Sequence, residues 1–378
     1  MRFAVAVLLL AVPFIAAEEP PKSWKGEFVW PKKRAKDIKF GDRVNDKNVT
    51  YRLSVEFPIY IKVLEQEGDR IRIDDGKHKG WTPQSEWVRD REAFAYFDNL
   101  VKADPKDVFA LSMRGETLKW LGKYDEAIEE FTACIRMEPD NASHFSSRAA
   151  AWLYKQDCDK AIKDLDESIR LDPQIVSVIF RRGLLLHYQK RDYDKAMRDY
   201  NEGIRLDPMD GKAFNIRANL WRDLKEYDKA IKDYNESVRL SPQHPFVSFC
   251  NRAQVYAILK MYEQAVADFE SAMNEKVYSL CWVKRDYARF LSTCPDAKYR
   301  DGAKALKLAK SAIEAVEPFT TWEDHAALAA ALAETGDFDG AVREQKAALA
   351  DQSMHADDKK EQEARLKLYQ AKKPFRDE

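Results

Sequence analysis

Two columns of charge run down this chain at a spacing that could do chemistry. Arg114, Arg148, Arg182, Arg217 and Arg252 stand 34 or 35 residues apart, and Glu130, Asp164, Asp199, Asp233 and Asp268 keep the same interval. A row of guanidinium groups could grip an acidic ligand, since each fork matches a carboxylate bidentately. The same row could instead pair with the acids, each arginine with one in its own or the neighbouring repeat. The second reading is favoured, because both columns keep their sign throughout. An exposed pair adds only about 0–1 kcal/mol, so the gain is register more than stability.

Catalysis finds few footholds. The six histidines, His78, His144, His187, His244, His325 and His355, are scattered without His-Glu-x-x-His or other ligand spacing. No Gly-rich phosphate loop follows a strand and no Gly-x-Ser-x-Gly occurs. The five cysteines include no Cys-x-x-Cys, so neither a redox motif nor a zinc site is indicated. The expectation is a binding protein, not an enzyme, with no catalytic residue, metal or cofactor. Cys134 and Cys158 fall at core positions and are expected as buried thiols. Cys281 and Cys294 lie in one irregular segment, where pairing and free thiols both stay open.

The elements that must position these residues repeat about every 34 residues between 108 and 275. Ala127, Ala161, Ala196, Ala230 and Ala265 mark one column, and Pro139, Pro173, Pro208 and Pro242 close the units. Gly115, Ala149, Gly183, Ala218 and Ala253 are small where two helices must touch. Tyr124, Tyr193, Tyr227 and Tyr262 fill the space beside them, with Cys158 in the second unit. The one extra residue of the third unit is assigned to the turn Gln189-Lys190-Arg191-Asp192.

The spacing and the small-residue columns resemble tetratricopeptide repeats, in which helix pairs stack around a groove lined by the first helix of each pair. The resemblance implies a mainly α fold, a right-handed α-solenoid of about seven helix pairs. Residues 90–107 read as a capping half-repeat and 108–275 as five repeats. Residues 276–355 read as two degenerate repeats and 356–378 as a cap helix and tail. Residues 285–350, with Cys294-Pro295-Asp296 and Tyr299-Arg300-Asp301-Gly302, resemble exported planctomycete-type bacterial proteins. Relatives of that type often carry a second Cys in the following helix, where this chain has Ala312-Ile313.

By that resemblance the groove includes Trp120, Tyr154, Phe180 and Tyr188, then Lys212, Asn215, Asn219 and Arg222. An aromatic half beside an amide-and-cation half suits an extended peptide, because aromatics supply area and amides hold backbone. Asn215 and Asn219 lie one helical turn apart and resemble the asparagines of chaperone-type clamps for C-terminal carboxylates. The lysines of that clamp are matched only in part. The aromatic stripe could equally serve packing.

Ahead of the repeats the pattern changes twice. Arg2, an apolar run from Phe3 to Ile15 and Ala16-Ala17 describe a secretory signal over residues 1–17, with cleavage expected after Ala17. The mature protein is then expected without a membrane span, in the periplasm or cell envelope or secreted, with a retained anchor as the alternative. Residues 18–37 read as a linker. Over 38–89, Val, Ile and Tyr alternate with polar residues, Glu67-Gly68-Asp69 marks a turn, and Gly80-Trp81, Pro83 and Trp87-Val88 follow. This resembles a bacterial SH3-like barrel, in which Trp81 and Trp87 would offer a surface for peptide or cell-wall glycan, or close the core. With 63 basic and 64 acidic side chains there is no charge excess for nucleic acid or an anionic membrane. The partner expected is protein or peptide, with cell-wall glycan as the rival.

Overall fold

The computed structural model describes residues 23–25, 27–32, 39–40, 51–52, 61–74, 79–241, 245–274 and 280–377. The signal segment, most of the expected linker, Pro242, His78 and His244 lie outside them. The chain divides into two compact units, one ending at Leu206 and one beginning at Asp207.

The first unit opens with short antiparallel strands: β1 (Phe28–Pro31), β2 (Lys39–Phe40), β3 (Tyr51–Arg52), β4 (Ile61–Glu67), β5 (Arg70–Asp74), β6 (Lys79–Pro83) and β7 (Trp87–Arg89). Five form one sheet in the order β6-β5-β4-β1-β7, and β2 pairs with β3. The hairpin β4–β5 turns at Gly68, whose φ of 59° is the left-handed conformation that glycine tolerates. Alternation fixes the buried side: Val63, Ile71, Ile73 and Trp87 meet Val29 and Ile61 in one cluster. Strand β1 corrects the linker reading, because Val29 and Trp30 are buried within the sheet. Four residues were too few to show a period.

Helix α1 (Asp90–Ala103) follows, and Phe97 and Ala93 pack it with Trp30, Val88 and Met113. Three helix pairs complete the unit: α2 (Val108–Trp120) with α3 (Tyr124–Met137), α4 (Ala142–Tyr154) with α5 (Cys158–Leu171), and α6 (Val176–Leu185) with α7 (Tyr193–Leu206). Asp107, Asn141 and Asp157 cap helix starts by accepting backbone N–H bonds. The small columns do what their size implies. A Cβ on Gly115 would lie 2.9 Å from Phe131, and one on Gly183 would lie 2.7 Å from Tyr200. The extra residue of the third repeat is not in the turn. It is absorbed in a π-helical turn, Leu186–Lys190, that continues α6. The following Arg191 then takes the same left-handed place as Gln156.

The second unit stacks α8 (Gly211–Asp223) with α9 (Tyr227–Leu240), α10 (Phe246–Ile258) with α11 (Tyr262–Met273), α12 (Cys281–Thr293) with α13 (Gly302–Glu314), and α14 (Trp322–Glu334) with α15 (Phe338–Ala350). The charged helix α16 (Ala356–Gln370) closes it through Tyr369, which is fully buried with Ala329, Ala333 and Ala341. The tail beyond it is not merely solvated. Thr293 Oγ1 donates to Asp377 at 2.6 Å, the Asp377 amide returns to the Thr293 carbonyl at 2.9 Å, and Arg365 lies 4.1 Å over the Phe375 ring. Among the described residues no helix is long and apolar enough to cross a membrane.

Candidate functional site

The arginine column is engaged inside the array. Arg148 donates to both oxygens of Asp164 at 2.8 and 2.7 Å, and Arg182 to both of Asp199 at 2.9 and 2.6 Å. Arg217 and Arg252 hold Asp233 and Asp268 in the same bidentate way. Arg114 meets Glu130 at 2.6 Å and Asp98 of α1 at 2.8 Å. Arg148, Arg182 and Arg252 also reach the preceding second helix, at Thr132, Asp166 and Asn235. Each of these three therefore ties its own pair to the one before. Burial pushes the Glu130 carboxyl up against the opposing pull of Arg114, whereas Lys102 and Arg114 hold Asp98 below the usual carboxylate range.

In the second unit the expected amide face is turned to a structural task. Asn215, only 8% exposed, donates to Ser248 Oγ at 2.9 Å and accepts from Asn251 at 3.4 Å, joining α8 to α10. Asn219 accepts the Tyr234 hydroxyl at 2.7 Å, and Arg222 is buried against Asp223 at 3.1 Å. Gln254 extends the row by donating to Asp286 of α12 at 2.8 Å. Of the four residues expected to hold peptide here, Lys212 alone is exposed. Polar residues on a first helix pack against the next first helix, and sequence spacing does not separate that role from ligand contact.

The first unit is different. Phe180 is buried, its ring filling the place beside Gly203 where a Cβ would fall 2.4 Å away. Tyr188 sits in the π turn, its ring stacked on His187 at 4.0 Å. Trp120 and Tyr154, however, remain on the surface of the first helices. Trp120 is 45% exposed, and Tyr154 is half-buried and stacked on Tyr124 with ring centroids 5.1 Å apart. Beneath them Glu116 accepts from Ser147 at 2.7 Å and pairs with Lys119, which joins α2 to α4.

One residue was missed by sequence reasoning. Arg181 of α6 is solvent-exposed and forms no hydrogen bond or ion pair within the described residues. Protein around its guanidinium pulls its pKa below the arginine range, with Glu116 and Tyr154 acting in the opposite sense. The signal was present in the sequence, since Met113, Ser147, Ile216 and Asn251 occupy the same repeat position.

Neither tryptophan of the small sheet region faces solvent. Trp87 is fully buried and donates its indole N–H to Thr82 at 3.3 Å, and Trp81 is 8% exposed. They close the core of the small sheet instead of forming a ligand surface. All five cysteines are free thiols, Cys281 and Cys294 included. Cys134 is buried as expected, and Cys250 and Cys294 are buried too, whereas Cys158, also expected in the core, is half-exposed at the start of α5. Burial, aided by Glu130 and Glu138, pushes the Cys134 thiol up to about 12.

This architecture is that of a mainly α, repeat-built solenoid with a small antiparallel sheet ahead of it. Residues 113–174 and 183–245 match one tetratricopeptide repeat family model and 247–275 match another, so these segments are tetratricopeptide repeats. Among solved structures, yeast Tom70 is 17% identical with a TM-score of 0.55, over 75% of this chain and 59% of that one. The hetero-tetramer Cut9–Hcn1 of the APC/C is 17% identical with a TM-score of 0.50, over 64% and 46%. A tetratricopeptide repeat protein from Parabacteroides merdae is 16% identical with a TM-score of 0.48, over 74% and 92%. At these identities the likeness is one of fold alone. Comparison with curated proteins gives no match.

Proposed function

We propose that the chain is a non-enzymatic adaptor that holds an extended peptide segment of another protein on the first helices of its N-terminal unit. One observation carries this reading. The ladder arginines are used internally, yet Trp120 and Tyr154, 34 residues apart at one repeat position, keep solvent-facing surface on α2 and α4, Trp120 being exposed and Tyr154 half-buried against Tyr124. Rigid aromatic rings that are already positioned give contact area at little entropic cost. The apolar run after Arg2, ending in Ala16-Ala17, supports export, with the partner then met in the periplasm or cell envelope. The resemblance of the Cys294 to Gly302 region to exported planctomycete-type proteins supports the same compartment. The five-stranded sheet is consistent with an SH3-like module, but the burial of Trp81 and Trp87 leaves a glycan-binding reading without its proposed surface.

The test is retention from a cell-envelope extract on the immobilised mature chain, followed by rebinding of the purified retained protein. The wild type is expected to retain a protein that the Trp120→Ala/Tyr154→Ala variant loses, with unchanged helicity. Equal retention by both would remove the aromatic face from the function. Loss on deletion of residues 18–90 alone would transfer binding to the sheet.

A further inference from the structure

We infer that the C-terminal ends of α12 and α14, together with α16, form a peptide site in the second unit. Its partner is a segment of another protein presenting an aromatic residue, an arginine and an acid in succession. The chain's own Phe375-Arg376-Asp377 occupies the site and shields it. This site is separate from the aromatic face of the first unit and does not depend on it.

Three observations carry this. The first is register. Buried Ala288 and Ala329 continue the small-residue column of Ala253, which gives Thr293 and Glu334 the repeat position of Trp120 and Tyr154. Arg289 and Ser292 likewise repeat the places of Asn219 and Arg222. The second is what these positions hold, a segment without regular secondary structure. Lys372, at φ of 56°, turns the chain after α16, and residues 374–377 are half-buried where 371–373 are exposed. Each side chain meets a different chemistry. Phe375 joins the Tyr369 cluster beneath the Arg365 guanidinium, and Arg376 donates to the Ser292 carbonyl and pairs with Glu334. Asp377 accepts from Thr293 between Arg289 and Arg365. The third is incomplete saturation. Asp377 stands 3.4 Å from Arg289 and 3.6 Å from Arg365, outside the roughly 2.7–2.9 Å of a charge-assisted bond. Tyr369 and Arg365 are 0% and 2% exposed, yet the tyrosine hydroxyl and the arginine Nε have no hydrogen-bond partner among the described residues. The site therefore offers more polar contact than its present occupant uses.

That surplus favours a different protein over a second copy of this chain. A second copy would bring the same three side chains, leave the same donors unused and forgo the advantage of the tether. A partner whose acid approaches the two arginines more closely, or that carries an acceptor for Tyr369, gains where the chain's own segment does not. Charge fixes the order of the motif, since the arginine must lie at Glu334 and the acid between Arg289 and Arg365. Residues 374–377 can leave without unwinding a helix, so opening the site breaks these contacts alone.

The experiment titrates a fluorescein-labelled synthetic peptide of residues 371–377 with the full mature chain, read by fluorescence polarisation. Two opened variants are compared with the wild type, Phe375→Ala/Asp377→Ala and Arg376→Ala, the second keeping the apolar anchor in place. Both should bind the peptide at least about tenfold more tightly than the wild type, because a resident segment lowers the fraction of open sites. On the opened chains, Arg376→Glu or Asp377→Asn within the peptide should each weaken binding about tenfold, as expected for one charge-assisted contact. Random heptapeptides on phage, selected against the wild type, should enrich the order aromatic, arginine, acid and compete with the labelled peptide. No binding by either opened variant, with thermal unfolding matched to wild type, would overturn the inference and leave the segment a structural clasp. Equal binding by all three chains would overturn the shielding by the chain's own segment. Concentration-dependent dimers of the wild type in light scattering, lost in Phe375→Ala/Asp377→Ala, would give the site to a second copy and overturn the partner assigned here. Trp120→Ala/Tyr154→Ala should behave as wild type throughout, which keeps this test separate from that of the first unit.

Discussion

At single residues the repeat template and the local backbone are sometimes in conflict. The turn between paired helices requires a left-handed residue, and Gly122 and Gly336 supply it with φ of 77° and 89°. Gln156, Arg191, Lys225 and Lys260 adopt the same conformation at φ between 55° and 62°. An L-residue there costs roughly 1–2 kcal/mol from the Cβ clash. Glycine removes that clash but adds about 0.5–1 kcal/mol of unfolded-chain entropy. Lys225→Gly is therefore expected to stabilise by about 0.3–1 kcal/mol, read as a higher urea midpoint with unchanged m-value. The sequence announced this position only where glycine happened to occupy it. Arg181 stands beside Arg182, whose column is conspicuous, and has no arginine at its own position in the other repeats.

At the scale of elements, the ladder shows which charges belong to architecture. Asp164 is 7% exposed and accepts two bonds from Arg148, which also donates to Thr132. Removing one member of a buried pair costs about 3–5 kcal/mol, and the part-exposure of Arg148 brings this down to about 1–3 kcal/mol for Asp164→Ala. The double variant Arg148→Met/Asp164→Leu should recover part of that loss in the same denaturation experiment. A ligand-gripping column would instead lose affinity with little change in stability. The Arg114 step should show a dependence on pH. Lys102 and Arg114 hold Asp98 below its unfolded value, so its contribution is present above the ordinary carboxylate range. That contribution fades as pH falls through the folded pKa. Asp98→Asn should therefore destabilise at pH 7 and converge with wild type in acid, as followed by urea unfolding from pH 7 to pH 3. The small-residue columns and this ladder were legible because each repeats in one dimension. The π turn was not, since one extra residue lengthens the interval equally whether it enters the helix or the loop. Asn215 misled for another reason: an amide facing the next first helix and an amide facing a ligand occupy the same register.

On the scale of the whole molecule, stability in a repeat array is close to a sum of units and nearest-neighbour interfaces, and the last unit needs a cap. Here the cap is more than helix α16. The tail turns back so that Asp377 joins Thr293 and Arg289, while Arg376 donates to the Ser292 carbonyl at 3.1 Å and pairs with Glu334 at 2.7 Å. These bonds satisfy groups at the end of α12 and stitch α12, α14 and α16 together from one short segment. Phe375 adds an apolar anchor against the Tyr369 cluster. Removing residues 374–378 leaves every helix intact and deletes only these contacts. Hydrogen exchange should then rise in α12, α14 and α16, with α2 to α7 unchanged, because coupling along an array passes through neighbours. The single substitution Asp377→Ala should reproduce the exchange near Thr293 but spare Tyr369, which Phe375 still covers. Uniform loosening of both units would instead show that the tail stabilises the chain as one cooperative body, contrary to the local clasp inferred from its bonds. Unchanged exchange throughout would mean that α16 alone suffices as the cap.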